Sequence, residues 1–112
     1  MGMRAAAGSG REAVSGQEFR EALRRFPTGV TVVTTLVDGV ARGFTANAFA
    51  SVSVDPPMVL ICVNRDASAH PYISSSSIFC VNILAVEQRE LAKRFADKGA
   101  REHRFTGVPT HV

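Results

Sequence analysis

"RGFTANAFASVSVDPP" (42–57) lies between two strongly apolar runs, TVVTTLV (31–37) and MVLICV (58–63). A core strand carries Val, Ile or Leu. This stretch instead carries Thr, Ala, Asn and Ser around two Phe, then stops at a double proline. One reading is a solvent loop, or a capped helical turn between strands. The other is a backbone wrapped closely around a ligand. Thr45, Ser51 and Ser53 offer hydroxyls, Asn47 offers an amide, and Ala46, Ala48 and Ala50 allow close approach. Such a stretch can donate several hydrogen bonds to a flat polar ring or a phosphate.

The flanking runs set the fold class. TVVTTLV is β-branched almost throughout and reads as a strand. Asp38-Gly39 is a type I′ hairpin signal, with VARGF (40–44) as the return strand. Asp55-Pro56-Pro57 forces an extended turn. MVLICV and IFCVNIL (78–84) are apolar on both faces, which predicts two central strands. Between them, 64–72 reads as a loop with one short helical turn, and His70 before Pro71 predicts extended backbone there. Ser15 or Gly16 predicts a helix start, followed by Phe19, Ala22, Leu23 and Phe26 on one apolar face. Pro27 and Gly29 end that helix. Val86 to Ala96 predicts a second helix, with Leu91 and Phe95 inward and Glu87 and Glu90 in its first turn. The expected class is mainly β with flanking helices, as a barrel or strongly bent sheet.

Composition excludes several functions. The chain has 112 residues, 46% of them apolar and 21% charged, with a net charge of +3. That suits one globular domain. No apolar run approaches the ~20 residues of a membrane span, and 1–16 lacks the apolar segment of a secretory signal, so a cytoplasmic location is expected. The positive residues are scattered, Trp is absent and there is one Tyr, a poor match to a nucleic-acid surface. A small anionic ligand fits the mild positive balance better. Cys62 and Cys80 each sit inside an apolar run, which predicts buried thiols. Their spacing matches no zinc pattern, and the three His are dispersed, so no metal site is expected.

No catalytic constellation is legible. Ser is abundant and unlocalised, and RGFTANA is neither GxGxxG nor a Walker motif. If the chain serves an enzyme, the reactive group comes from a cofactor. Besides 45–53, Ser68-Ala69-His70 follows a strand end, a usual place for binding groups. Lys93-Arg94-Phe95 reads on its own as two cations at a helix C-terminus beside a core Phe.

Taken together, the pieces are similar to a known family. FREALRRFPTGVTVVTT (19–35) leads to the Asp-Gly hairpin, then GFTANAFASVSVDPPMVLICVNRDASAH (43–70), FCVNIL (79–84) and LAKRFA (91–96). This combination resembles the flavin reductase-like family, whose fold is an FMN-binding split β-barrel. The likeness runs from about Phe19 to Val108. It implies that Thr45, Ala46, Asn47 and Ala48 line the isoalloxazine and ribityl chain, with Ser51, Val52 and Ser53 continuing the contact. It implies that Cys62, Val63 and Asn64 border the ring or the phosphate side. Ser68 and His70 match the Ser-x-His segment near the flavin phosphate. Lys93, Arg94 and Phe95 match the segment whose cation meets that phosphate. Pro27 and Thr28 lie near the mouth.

The resemblance implies hydride transfer from NADH or NADPH to FMN or FAD. The reduced flavin is then supplied to a partner monooxygenase. Family members continue with further strands. Residues 1–16, rich in Ala, Gly and Ser and without periodicity, are expected to form a disordered tail. Over 17–112 the resemblance implies an N-terminal part of the domain, truncated relative to the family, that a homodimer helps to complete. The alternative is a flavin-binding module, or a truncated chain, without reductase activity.

Overall fold

The computed structural model describes residues 12–111. Most of the expected tail, 1–16, therefore lies outside the described residues. Its last two residues belong to the start of helix α1, Gly16–Leu23. Ser15 is the N-cap: its hydroxyl accepts from the Glu18 amide at 3.1 Å, and its own amide donates to the Glu18 carboxylate at 3.3 Å. This reciprocal box satisfies two of the donors that a helix start leaves open. The apolar face of α1 finds little cover among the described residues: Phe19, Leu23 and Phe26 are all exposed.

Strand β1 (Thr31–Val37) and strand β2 (Val40–Ala46) form the expected hairpin. Asp38 and Gly39 have φ of 50° and 77°, the left-handed pair that a type I′ turn requires. β2 runs two residues past the expected end, so Thr45 and Ala46 are strand residues. After Asn47 and Ala48 the chain enters β3 (Phe49–Ser53), turns at 54–57 and returns as β4 (Met58–Ile61). The stretch read as an interruption is thus a strand end, a two-residue break and a second strand. Val52 is the extra residue of a bulge, since Ser51 pairs with Val59 and Ser53 with Met58.

Helix α2 is His70–Ser75 and β5 is Cys80–Ile83. His70 opens α2 rather than standing in extended backbone, because Pro71 falls in the first turn, where its missing N–H costs nothing. The predicted second helix begins as a 3-10 turn, Val86–Gln88, and continues as α3, Arg89–Ala96. A further 3-10 turn, Lys98–His103, follows where irregular loop was expected.

The described strands form two antiparallel sheets, β2-β1-β5 and β3-β4. β1 is the central strand, and its β-branched residues fill the core: Val33 is fully buried, and Thr31, Val32 and Thr35 nearly so. The Thr35 hydroxyl donates to the Ile78 carbonyl at 2.6 Å, and Asn82 Nδ2 donates to the Val32 carbonyl at 2.9 Å, which fixes the approach to β5. Phe95 from α3 is the other large core side chain. Its ring meets Phe105 edge-on, with centroids 5.0 Å apart, beneath Gly43 of β2.

Two expectations are corrected here. MVLICV and IFCVNIL are not central strands: among the described residues β4 pairs with β3 alone and β5 with β1 alone. Their double apolar faces remain open, with Leu60 51% and Ile83 73% exposed. For the same reason Cys62 and Cys80, at the ends of these strands, are exposed free thiols rather than buried ones. The class is mainly β with flanking helices, and the described residues close no barrel. Among them, no helix is long and apolar enough to cross a membrane.

Candidate functional site

Four of the predicted binding residues, Thr45 to Ala48, lie at the break between β2 and β3, and a backbone bond joins Ala48 to a fifth, Cys62. The Thr45 hydroxyl donates to the Ala92 carbonyl of α3 at 2.6 Å. The Ala46 carbonyl accepts from the Thr31 hydroxyl at 2.7 Å, and the Asn47 carbonyl from the Phe49 amide at 2.9 Å. The Ala48 carbonyl accepts from the Cys62 amide at 3.1 Å. Each of these three carbonyls is already engaged once, so donors for a ligand come from amides and from the Asn47 side chain. That carboxamide is exposed, and no hydrogen bond within the described residues engages it. It lines an open cleft of about 220 Å³ with Arg20, Leu23 and Arg24 of the α1 segment. Arg20 and Arg24 stand four residues apart, so helical spacing puts both on one face. The cleft therefore has a polar floor, an apolar wall and two cations.

Ser51 and Val52 are exposed on β3, and Ser53 is half-buried. The bulge at Val52 re-aims these side chains relative to a regular strand. Val63 is half-buried beyond Cys62. The Asn64 side chain accepts from the Asp66 amide at 2.9 Å, closing a turn of the backbone. Pro27 and Thr28 are exposed in the segment joining α1 to β1.

The remaining predicted residues do not gather at that break. Ser68 lines a second, smaller cavity with residues 41–44. His70 Nδ1 lies 3.4 Å from Ser74 Oγ on the next turn of α2. Lys93 pairs with Glu90 at 3.3 Å on the open face of α3. Arg94 Nη1 donates to the Thr106 carbonyl at 2.8 Å, so its guanidinium holds down the chain after the last 3-10 turn. Phe95 is 2% exposed and belongs to the core.

Several polar residues at the two cavities carried no local signal. Arg20 and Arg24 read as surface helix cations. Arg42 stacks over the Tyr72 ring, its guanidinium carbon 4.4 Å from the centroid. Arg104 is 8% exposed and donates to the Gly43 and Asp97 carbonyls, both at 2.8 Å. Burial holds its guanidinium below the usual arginine value, aided by the charge of Arg101 and opposed by Asp97. Nothing in the RFTG segment marks an arginine as buried. An arginine beside Gly43 on an edge strand becomes visible only in three dimensions.

Comparison with known proteins identifies the family. Residues 23–112 match the flavin reductase like domain. The reductase subunit HsaB of a flavin-dependent monooxygenase from Rhodococcus jostii (strain RHA1) is 43% identical over 98 residues, covering 87% of this chain and 49% of that protein. An NADH:riboflavin 5′-phosphate oxidoreductase from Streptomyces pristinaespiralis is 44% identical, covering 87% of this chain and 54% of its own length. Among solved structures, the NADH:FAD oxidoreductase SgcE6 of Streptomyces globisporus C-1027, in complex with NAD and FAD fragments, superposes with a TM-score of 0.76. It is 40% identical and covers 88% of this chain and 60% of that one. The chain thus spans about half the length of the curated relatives it matches. It belongs to the flavin reductase like domain family.

Proposed function

We propose that the chain is the flavin-holding part of an NAD(P)H:flavin oxidoreductase, built as a split β-barrel over 17–112, that supplies reduced FMN or FAD to a partner monooxygenase. The observation that carries this reading is the cleft at Asn47. The unengaged Asn47 side chain lines it with Arg20 and Arg24, and in sequence Asn47 stands between Ala46 and Ala48, both too small to block a planar ring. That donor set fits a flavin, which presents a polar edge, an apolar face and a negative phosphate. The names of the matched relatives favour NADH as the donor and include both FMN and FAD as acceptors.

On this reading Asn47 addresses the polar edge of the ring, and Ala46 and Ala48 let the backbone approach its face. Ser51, Val52 and Ser53 extend the wall along β3, and Cys62, Val63 and Asn64 border it from the segment that follows β4. Pro27 and Thr28 stand at the entrance. Thr45 fixes the floor through its bond to α3. Bound flavin supplies the hydride-accepting chemistry, so the protein contributes binding, orientation and exclusion of water. The exposed apolar faces of β4 and β5 favour a homodimer. A cytoplasmic location accords with the family.

The test is to purify the chain, add FMN or FAD and record the flavin absorbance after removing free ligand. NADH is then added anaerobically. Retained colour that bleaches supports the full proposal. Retained colour without bleaching assigns a flavin-binding module. A folded chain that takes up neither flavin overturns the reading.

A further inference from the structure

Arg104 is 8% exposed, and its guanidinium bonds to two separate elements. Nη1 donates to the Gly43 carbonyl of β2 and Nη2 to the Asp97 carbonyl, both at 2.8 Å. Asp97 closes α3: its amide donates to the Lys93 and Arg94 carbonyls at 3.0 and 3.3 Å. One side chain therefore ties the end of α3 to the edge of β2. Burying a cation is costly, and a residue needed only to fill the space would be less so as an apolar one. A planar fork reaches two acceptors at once, whereas an ammonium is a single point charge.

A second tie joins the same two elements. The Thr45 hydroxyl, two residues further along β2, donates to the Ala92 carbonyl in the middle of α3 at 2.6 Å. Phe95 and Phe105 press against Gly43, where an added Cβ would lie 2.8 Å from Phe95 Cε1. Such apolar packing holds α3 close but is non-directional. Two directional bonds, at Ala92 and Asp97, fix both the position of α3 along β2 and its tilt. β2 ends at Ala46, whose carbonyl is held from the β1 side by the Thr31 hydroxyl at 2.7 Å. Asn47 is the next residue, so the clamped strand delivers the carboxamide that lines the cleft.

We propose that Arg104 is a positioning residue for flavin binding: together with Thr45 it clamps α3 to β2, and so sets the place of Asn47 and the small residues beside it. Arg104 does not line that cleft and acts only through β2. The inference rests on the flavin reading of the cleft. A site loses its ligand when its supporting groups leave it loose by about 1 Å.

Fluorescence titration of FMN and riboflavin into the full chain and its Arg104→Lys and Arg104→Gln variants tests the clamp, with visible circular dichroism of the bound flavin and urea unfolding of each protein. Asn82→Ala is the control for lost stability, since it removes the bond to the Val32 carbonyl on the β5 side of β1. Both arginine variants should bind the two flavins about ten-fold more weakly, with an altered dichroism of the bound ring, while Asn82→Ala matches the parent in both. Folded arginine variants with the parent's affinity and dichroism overturn the positioning role while the flavin reading stands. An equal loss in Asn82→Ala shows that overall stability sets the affinity and overturns the role too, as does a loss confined to FMN. If neither arginine variant folds, Thr45→Val removes the other tie and decides: weaker binding of both flavins supports the clamp, and unchanged binding overturns it. A parent that binds neither flavin overturns the flavin reading and this inference with it.

Discussion

The Thr45 hydroxyl donates to the Ala92 carbonyl at 2.6 Å, joining the end of strand β2 to the middle of α3. It is a bond between elements 47 residues apart, made just before the chain leaves its first sheet. Thr45→Val keeps the shape and removes the donor. Stability should fall by ~0.5–1.5 kcal/mol, the usual net value of one such bond. Urea unfolding of both proteins would measure it, and an unchanged midpoint would show that the bond contributes nothing.

Gly43 is required by its neighbours rather than by its backbone angle. A Cβ there would lie 2.8 Å from Phe95 Cε1 and 3.2 Å from Phe105 Cζ. Phe95 is buried and cannot swing away. Gly43→Ala should therefore cost ~1–3 kcal/mol through overpacking. Phe95→Ala should cost ~3–5 kcal/mol through the cavity it leaves. Pairing the two changes should recover part of the loss, because the added methyl enters the vacated space. Strictly additive losses in thermal unfolding would contradict the contact.

Asn47 is exposed, so its replacement should barely affect folding, within ~0.5 kcal/mol. Asn47→Leu should nevertheless weaken FMN and riboflavin alike, by about ten-fold, because it removes the amide that addresses the ring and adds bulk to the cleft. Fluorescence titration reads the two dissociation constants. Unchanged values in the folded variant would remove Asn47 from the site.

Arg94 tests the phosphate role that the family resemblance implies. Its guanidinium is engaged with the Thr106 carbonyl, so Arg94→Ala frees that segment and should weaken FMN and riboflavin by the same small factor. Titration of both ligands into the variant checks it, and a loss confined to FMN would show that Arg94 meets the phosphate instead.

The local elements were legible because their causes are local. Asp38-Gly39 supplies both positive φ values by itself, Ser15 and Glu18 cap each other within one turn, and the β-branched run 31–37 packs as a central strand. Burial of β4 and β5 was not legible. Apolar residues on both faces state that a strand requires two neighbours, and MVLICV and IFCVNIL meet only one each among the described residues. The site divides in the same way. The small residues at 45–48 announce a close approach, and the structure gathers them with Cys62. Arg42 and Arg104 lie 62 residues apart, and no local pattern announces that both face one cavity.

The grip of Arg104 on the Gly43 carbonyl also bears on how the chain avoids misassembly. In a two-residue hairpin closed by Val37 and Val40, the Thr34–Gly43 pair turns the Gly43 amide and carbonyl away from β1. A bare row of such groups is a template on which another molecule can add a strand. Here the outward carbonyl is already taken, and the donor is a buried cation. An incoming backbone at this point must displace Arg104 from the Gly43 carbonyl and leave a buried cation short of one acceptor. One side chain thereby guards the edge of the sheet against uncontrolled strand addition.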